Sequence, residues 1–176
     1  MNFFLYYRYI MPHKSRLGMK STAIKFKDDD YETPEECLKT ITHLIDKEKV
    51  IYDPFYCRGE VIKQWEKLGY KCINEKKDAF NREHPDYDIM ISNIPFSCKE
   101  KCVELAVSLG KPFMLLMPID SLGSVWIKKY WDKLSFIIPR GRYNFLKEGV
   151  MGAGGAWFDT MWVCYDIGLE EKIIKL

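Results

Sequence analysis

The sequence lacks any C-x-x-C pair, although it carries six cysteines: Cys37, Cys57, Cys72, Cys98, Cys102 and Cys164. Several fall inside apolar segments, where a free thiol behaves as a small hydrophobe. Cys98 and Cys102 share a helix face at i, i+4, but no neighbouring His or Cys pair completes a zinc site. Reduced thiols in an intracellular protein, with no metal centre, are therefore expected. No run approaches the roughly 18 uninterrupted apolar residues of a membrane span, so no membrane partner is expected. The opening "MNFFLYYRYIMPHKSR" places apolar residues before basic ones, the reverse of a secretory signal, and reads as an aromatic and basic arm over residues 1–30. Charge of one sign is also scarce. Against 27 Lys and Arg stand 25 Asp and Glu, a formal net charge of +2. Nucleic acid would have to be met by local basic patches, because the molecule as a whole has little field. Internal repeats, low-complexity tracts and a second domain are missing too.

What is present is one domain's worth of chain: 176 residues, of which 47% are hydrophobic, enough to bury a core. "TPEECLKTITHLIDK" (33–47) reads as a helix, with Thr33 as cap, Pro34 in the first turn and Glu36 closing a capping box. Its apolar face is Cys37, Leu38, Ile41, Leu44 and Ile45. "KVIYDPFYCRG" (49–59) is a short strand broken at Asp-Pro, and "EVIKQWEKLGY" (60–70) a helix. "YKCIN" (70–74) and "YDIMIS" (87–92) are further strands. Ser97 and Glu100 form a second capping box, opening a helix through "CKEKCVELAVSLG". Then follow the strand "PFMLLMP", the helix "DSLGSVWIKKYWDKL", the strand "SFIIP", the turn "RGRYNF", the Gly-rich "GVMGAGGAW" and the strand "DTMWVCYDI". Strands alternating with helices predict a mostly parallel sheet with helices on both faces. No helix separates the last two strands, which are expected to pair as an antiparallel hairpin at one edge.

In open α/β sheets ligands sit outside the carboxyl ends of the strands, and three unusual groups of residues collect there. Asp53-Pro54-Phe55-Tyr56-Cys57-Arg58-Gly59 follows the first strand. Its carboxylate can accept from a cationic amino group, and Gly59 lets backbone approach a ligand; equally, Asp-Pro can simply close a strand in a turn. Asn74 and Glu75 follow the second strand, with Asp78-Ala79-Phe80 beyond. An acidic residue there is placed for a ribose hydroxyl pair, or is part of a charged surface loop. The third group is Asn93-Ile94-Pro95-Phe96. Asn93 offers an acceptor oxygen, the Ile94 carbonyl a second one, Pro95 a fixed backbone, and Phe96 a flat face for a planar ring. Two acceptors and a ring face suit an exocyclic amine on a flat heterocycle, whose developing positive charge they would stabilise. The plainer alternative is a strand-to-loop turn.

Taken together, Thr-Pro, Asp-Pro-Phe, the acidic second strand, Asp-x-Phe and Asn-Ile-Pro-Phe resemble the class I S-adenosylmethionine-dependent methyltransferases of the amino-group type. Their pattern at the target amine is Asn/Asp-Pro-Pro-Phe/Tyr. The order is similar to that of compact phage and viral DNA N6-adenine methyltransferases, with "Arg142-Tyr-Asn-Phe145" and "AWFDTMWV" (156–163) in the later places. The resemblance runs from about Tyr31 to Tyr165, which makes 31–165 the catalytic core of a single domain with no separate target-recognition domain. It implies a Rossmann-like fold and S-adenosylmethionine as cofactor. Asn93, the Ile94 carbonyl, Pro95 and Phe96 would form the target-amine site. Asp53, Pro54, Phe55 and Gly59 would line the methionine and ribose end, and Glu75 or Asn74 would hold the ribose. Asp78 and Phe80 would flank the adenine, and Tyr31, Thr33 and Pro34 would close over the cofactor. Two positions depart from the pattern: Ile94 stands for the usual first proline, and Cys57 for a frequent glycine.

The resemblance favours adenine in DNA, with RNA as the second choice and a virus- or phage-encoded protein acting inside a host cell. Arg140, Arg142 and Lys147, beside the Gly-rich loop at 149–155, are the candidates for phosphate contact. Arg8, His13, Lys14 and Arg16 of the arm could extend that patch. A charged hairpin of this kind can also be a solvated edge that guards against strand pairing. So small a protein would select sequence poorly or rely on a partner subunit for recognition. The competing class is a non-catalytic module of the same fold that binds nucleic acid or a partner.

Overall fold

The structure, a computed structural model, describes residues 31–147, 150–151 and 158–176. The N-terminal arm and most of the Gly-rich loop lie outside the described residues.

Among the described residues, nine strands and four short helices follow one another along the chain. Helix α1 spans Glu35–Lys39, and β1 is Val50–Tyr52. Helix α2 (Glu60–Lys67) leads to β2 (Lys71–Ile73) and then β3 (Ile89–Asn93). Helix α3 is Lys99–Leu109, β4 Phe113–Pro118, α4 Val125–Lys128 and β5 Leu134–Ile138. A small antiparallel pair, β6 (Leu146–Lys147) and β7 (Val150–Met151), precedes β8 (Thr160–Tyr165) and β9 (Ile173–Lys175). The main sheet has seven strands in the order β2-β1-β3-β4-β8-β5-β9. All its pairings are parallel except those of β8, which runs against both neighbours. This is the mostly parallel sheet that the alternating pattern predicts, in the Rossmann-like architecture that the resemblance implies.

Each central strand feeds two cores, because successive side chains leave a strand on opposite faces. Ile89 and Ile91 of β3, Met114 and Leu116 of β4, and Trp162 of β8 pack with Cys37, Leu38 and Ile41 and with Trp65 of α2. Met90, Phe113, Leu115, Met117 and Val163 face the other way, onto Cys102, Val103 and Ala106 of α3 and Ile127 of α4. Sheets buried on both sides need continuous apolar strands, and "PFMLLMP" is one.

Five details differ from the sequence reading. The helix expected over 33–47 ends at Lys39, with Thr40 as its C-cap and a 3-10 turn at Thr42–Leu44. The Thr40 and Thr42 hydroxyls donate to the carbonyls of Cys37 and Lys39, at 2.7 and 3.0 Å, and so compete with the helical ladder. Thr33 caps nothing: the N-cap is Pro34, and Thr33 is fixed instead by its carbonyl, which accepts from Gln64 Nε2 at 2.9 Å. Ser97 lies inside a 3-10 turn, Phe96–Cys98, and the N-cap of α3 is Cys98. The helix expected over 120–134 is a 3-10 turn (Ile119–Gly123) followed by the single turn α4, interrupted at Ser124, which is extended at ψ 142°. Finally, β5 and β8 pair antiparallel as expected, but not at an edge. β8 is inserted between β4 and β5, and the edge is β9, which the sequence reading missed.

Candidate active site

The chain leaves β1 to one side to form β2 and returns to the other side to form β3. The crevice outside the carboxyl ends of β1 and β3 is thus the topological switch point, where such sheets bind ligands. Asp53 directly follows β1, and Asn93 ends β3. Asn93 borders two adjoining hollows, and Asp53 the smaller of them. The larger, about 270 Å³, is walled by Tyr31, Pro54, Phe55, Tyr56, Cys57, Asp78, Phe80, Asn93 and Pro95, among others. The smaller shares Tyr31, Phe55, Cys57 and Asn93 and adds Thr33, Asp53, Gly59 and Gln64.

Asp53 is buried, and its Oδ1 accepts from the Ser92 hydroxyl at 2.6 Å and from the Phe55 amide at 3.1 Å. Burial pushes its carboxyl up to about 7, against the opposing pull of those two hydrogen bonds. Its backbone is pinned to β2: the amide donates to the Ile73 carbonyl at 2.9 Å, and its own carbonyl accepts from Asn74 Nδ2 at 2.9 Å. Gly59 begins α2 with φ +76°, a left-handed conformation that glycine adopts without strain. A Cβ there would lie 2.9 Å from the Tyr56 ring.

Asn93 is half-buried; its Nδ2 donates to the Tyr31 carbonyl at 3.4 Å. Its Oδ1 is buried and has no hydrogen-bond partner among the described residues. Buried acceptors are normally satisfied, so this atom marks a place for a donor. Pro95 follows with φ −63° and ψ 117°. Ile94 turns its side chain into the core beside α3, a packing reason for an isoleucine at that position. The Phe96 ring stands edge-on to Phe158 at 5.7 Å and to Phe145 at 6.3 Å, and those two stack at 6.0 Å. Tyr31 meets Phe145 edge-on at 6.5 Å. This aromatic wall joins the β3 end to the segments after β5 and before β8.

The residues after β2 contribute unevenly. Asn74 is buried, and its Oδ1 lacks a partner among the described residues. The Glu75 carboxylate is held by Lys77 at 3.1 Å and by Arg82, which with Lys77 keeps it below the usual carboxylate range. Neither Asn74 nor Glu75 walls the hollows, and neither do Pro34, Ile94 or Phe96. Asp78 accepts from the Phe80 amide at 2.9 Å and from Asn81 Nδ2 at 2.8 Å, so it shapes the loop that presents Phe80. Phe80, 42% exposed, lies 5.9 Å from Phe55 across the hollow.

The basic candidates stand apart. Arg140 and Arg142 border a separate hollow with Tyr143. Arg142 Nε already pairs with Asp159 Oδ1 at 3.0 Å. Lys147 lies in β6. Among the described residues no group of three or more His, Cys, Asp or Glu is arranged to hold a metal ion, and no helix is long and apolar enough to cross a membrane. Sequence reasoning gave no role to Ser92 or Gln64, and it placed Phe145 and Phe158 in the later motif segments without assigning either a contact. Ser92 did carry a signal, being a hydroxyl in an otherwise apolar strand, "IMISN".

No protein-family model and no curated protein matches the sequence. Among solved structures the chain is similar to a dimethyladenosine transferase from Plasmodium falciparum, with a TM-score of 0.50 and 13% identity, covering 77% of this chain and 62% of that one. It is also similar to a Listeria monocytogenes protein assigned to the class I S-adenosylmethionine-dependent methyltransferases. There the TM-score is 0.51 and the identity 13%, with 84% of this chain and 65% of that one covered. The chain thus spans under two thirds of the length of either structure, and what it shares with them is the fold.

Proposed function

We propose that the protein transfers a methyl group from S-adenosylmethionine to the exocyclic N6 amine of adenine in nucleic acid, with DNA favoured over RNA. The observation that carries this reading is the buried, unpartnered Oδ1 of Asn93 at the switch-point crevice, followed by Pro95 and Phe96. The fold shared with two solved methyltransferases supports it.

The residues present fit the cofactor. The Asp53 carboxylate, at the smaller hollow, suits an ammonium group. Gly59 brings backbone to the edge of the same hollow, and the buried Gln64 Oε1 and Asn74 Oδ1 have no partner among the described residues. Phe55 and Phe80 offer ring faces for an adenine, with Asp78 beside them. Tyr31 and Thr33 close the cleft; Glu75 or Asn74, which wall neither hollow, would reach the ribose hydroxyls only by a shift of the loop after β2. When bound, S-adenosylmethionine supplies an electrophilic methyl group on a sulfonium.

Asn93 Oδ1 and the Ile94 carbonyl accept the two hydrogens of the target amine. That draws the nitrogen out of conjugation and stabilises the positive charge that develops on it. Pro95 fixes the backbone that aims the carbonyl, and Phe96 stacks the base. Since a paired base lies inside the duplex, the target has to be unpaired or flipped. Arg140, Arg142 and Lys147 are the candidates for holding phosphates, and a partner subunit could supply sequence recognition.

The test begins with S-adenosylmethionine and thermal stability. A ligand at 100 times its dissociation constant stabilises by about 2.7 kcal/mol. The expected shift, followed by methyl transfer to adenine in DNA or RNA oligonucleotides, supports the reading. No shift at millimolar cofactor would overturn it and favour the non-catalytic module.

A further inference from the structure

We propose that Cys98 and Cys102 form a reversible modification site, an oxidation-closed disulfide that shifts the target-amine loop. Their sulfurs lie 3.8 Å apart, and the Cys98 thiol also approaches the Pro95 carbonyl at 3.8 Å. Cys102 is fully buried on the inner face of α3, whereas Cys98 is half-buried and borders an open groove with Phe80 and Lys101. An accessible sulfur next to a buried one is the arrangement in which the first is oxidised and the second resolves it.

Cys98 is the N-cap of α3, so its backbone is not held by the full helical ladder and can follow its side chain inward. Bonded sulfurs lie about 2.0 Å apart, so the pair must close by roughly 1.8 Å from its 3.8 Å separation. Cys98 is also the last residue of the 3-10 turn that carries Phe96, a turn closed by its own amide on the Pro95 carbonyl at 3.2 Å. Drawing Cys98 towards Cys102 therefore pulls on Pro95 and lifts Phe96 from Phe158.

With hydrogen peroxide as oxidant, the Cys98 sulfur attacks one peroxide oxygen, the O–O bond breaks, and a sulfenic acid forms with loss of water. The Cys102 sulfur gives up its proton, attacks the Cys98 sulfur and expels a second water. Two thiols and one peroxide yield one disulfide and two waters, both electrons coming from sulfur. Among the other described cysteines, Cys37, Cys72 and Cys164 are held protonated by burial, which raises their thiols. Cys57, half-buried at the cofactor hollow, is the internal competitor.

The effect on activity rests on the methyl-transfer reading; the bond itself does not. The full chain is treated with hydrogen peroxide at near-stoichiometric ratio, mapped by peptide mass spectrometry, and followed by hydrogen exchange over residues 93–98. A Cys98–Cys102 linkage with a mass loss of two hydrogens is expected, with altered exchange in that segment, all reversed by dithiothreitol. kcat should fall about a hundredfold, as for a ~1 Å misplacement in an active site, with cofactor affinity unchanged. Cys98→Ser should resist, and Cys102→Ala should stop at the sulfenic acid. A linkage through Cys57 instead, or none, overturns the proposal, as does a linkage that leaves exchange unaltered. If the reduced protein transfers no methyl group, the activity reading fails, while mapping and exchange still decide the cysteine proposal.

Discussion

The carboxylate of Asp53, at the end of β1, accepts from the hydroxyl of Ser92 in β3 at 2.6 Å. Two neighbouring parallel strands are thereby joined by a buried polar contact at the point where the sheet's winding reverses. With Oδ1 taking both Ser92 and the Phe55 amide, the site holds a carboxyl group whose protonation is in balance near neutral pH.

That balance makes stability depend on pH. The folded Asp53 carboxyl is raised to about 7, above its unfolded value near 3.9. The folded state therefore binds the extra proton between those values, and stability falls as pH rises from about 4 to about 7. Asp53→Asn keeps the Oδ1 acceptor without the ionisation. It should exceed the native protein by up to roughly 4 kcal/mol at pH 8 and match it near pH 4. Urea denaturation at both pH values checks this; an equal gap at both would refute it.

Binding of a cationic amino group beside Asp53 should lower its pKa and release a proton. Affinity for S-adenosylmethionine is expected to weaken as pH falls below about 7, where the carboxyl is already protonated. Calorimetry in buffers of different ionisation enthalpy reads the proton directly. The linkage should disappear in Asp53→Asn.

Asn93→Ala removes an acceptor that forms no hydrogen bond among the described residues and one long donation, Nδ2 to the Tyr31 carbonyl at 3.4 Å, so the fold should lose little. Transfer should fall about 10²–10³-fold, the scale for removing one preorganised transition-state contact. Cofactor binding followed beside single-turnover transfer separates the two effects. Retained transfer would exclude the assigned role.

Gly59→Ala imposes two costs: a side chain at φ +76°, and a Cβ 2.9 Å from the Tyr56 ring. The expected loss is about 1–3 kcal/mol, together with weaker cofactor binding. Adding Tyr56→Ala should recover the contact part and leave the backbone part, a comparison that chemical denaturation resolves.

Ile94→Pro restores the residue common in the resembling methyltransferases but withdraws a side chain that is only 2% exposed and packed in the α3 core. A loss of roughly 1–3 kcal/mol is expected, without a gain in kcat. A large rise in kcat would instead mean that the natural site is impaired.

The short-range features of this protein were legible in its sequence. Apolar runs bounded by Gly, Pro and Asp marked β1 to β5 and β8, and placed Asp53 and Asn93 at strand ends. The lengths of α2 and α3 were legible too, but those of the helices expected over 33–47 and 120–134 were not, because threonine hydroxyls at 40 and 42 and the break at Ser124 interrupt patterns that periodicity alone would continue.

Sequence alone therefore determined the alternating class of fold and the residues at the mouth of the crevice, since both follow from local hydrophobic period and turn chemistry. Only the tertiary structure decided that β8 enters between β4 and β5, that β9 takes the edge, and that Ser92 meets Asp53. It alone brought Phe145 and Phe158 against Phe96 from far along the chain. Strand order and side-chain encounters of that range are set by how two cores close on one sheet, a property of the packed whole that no local window contains.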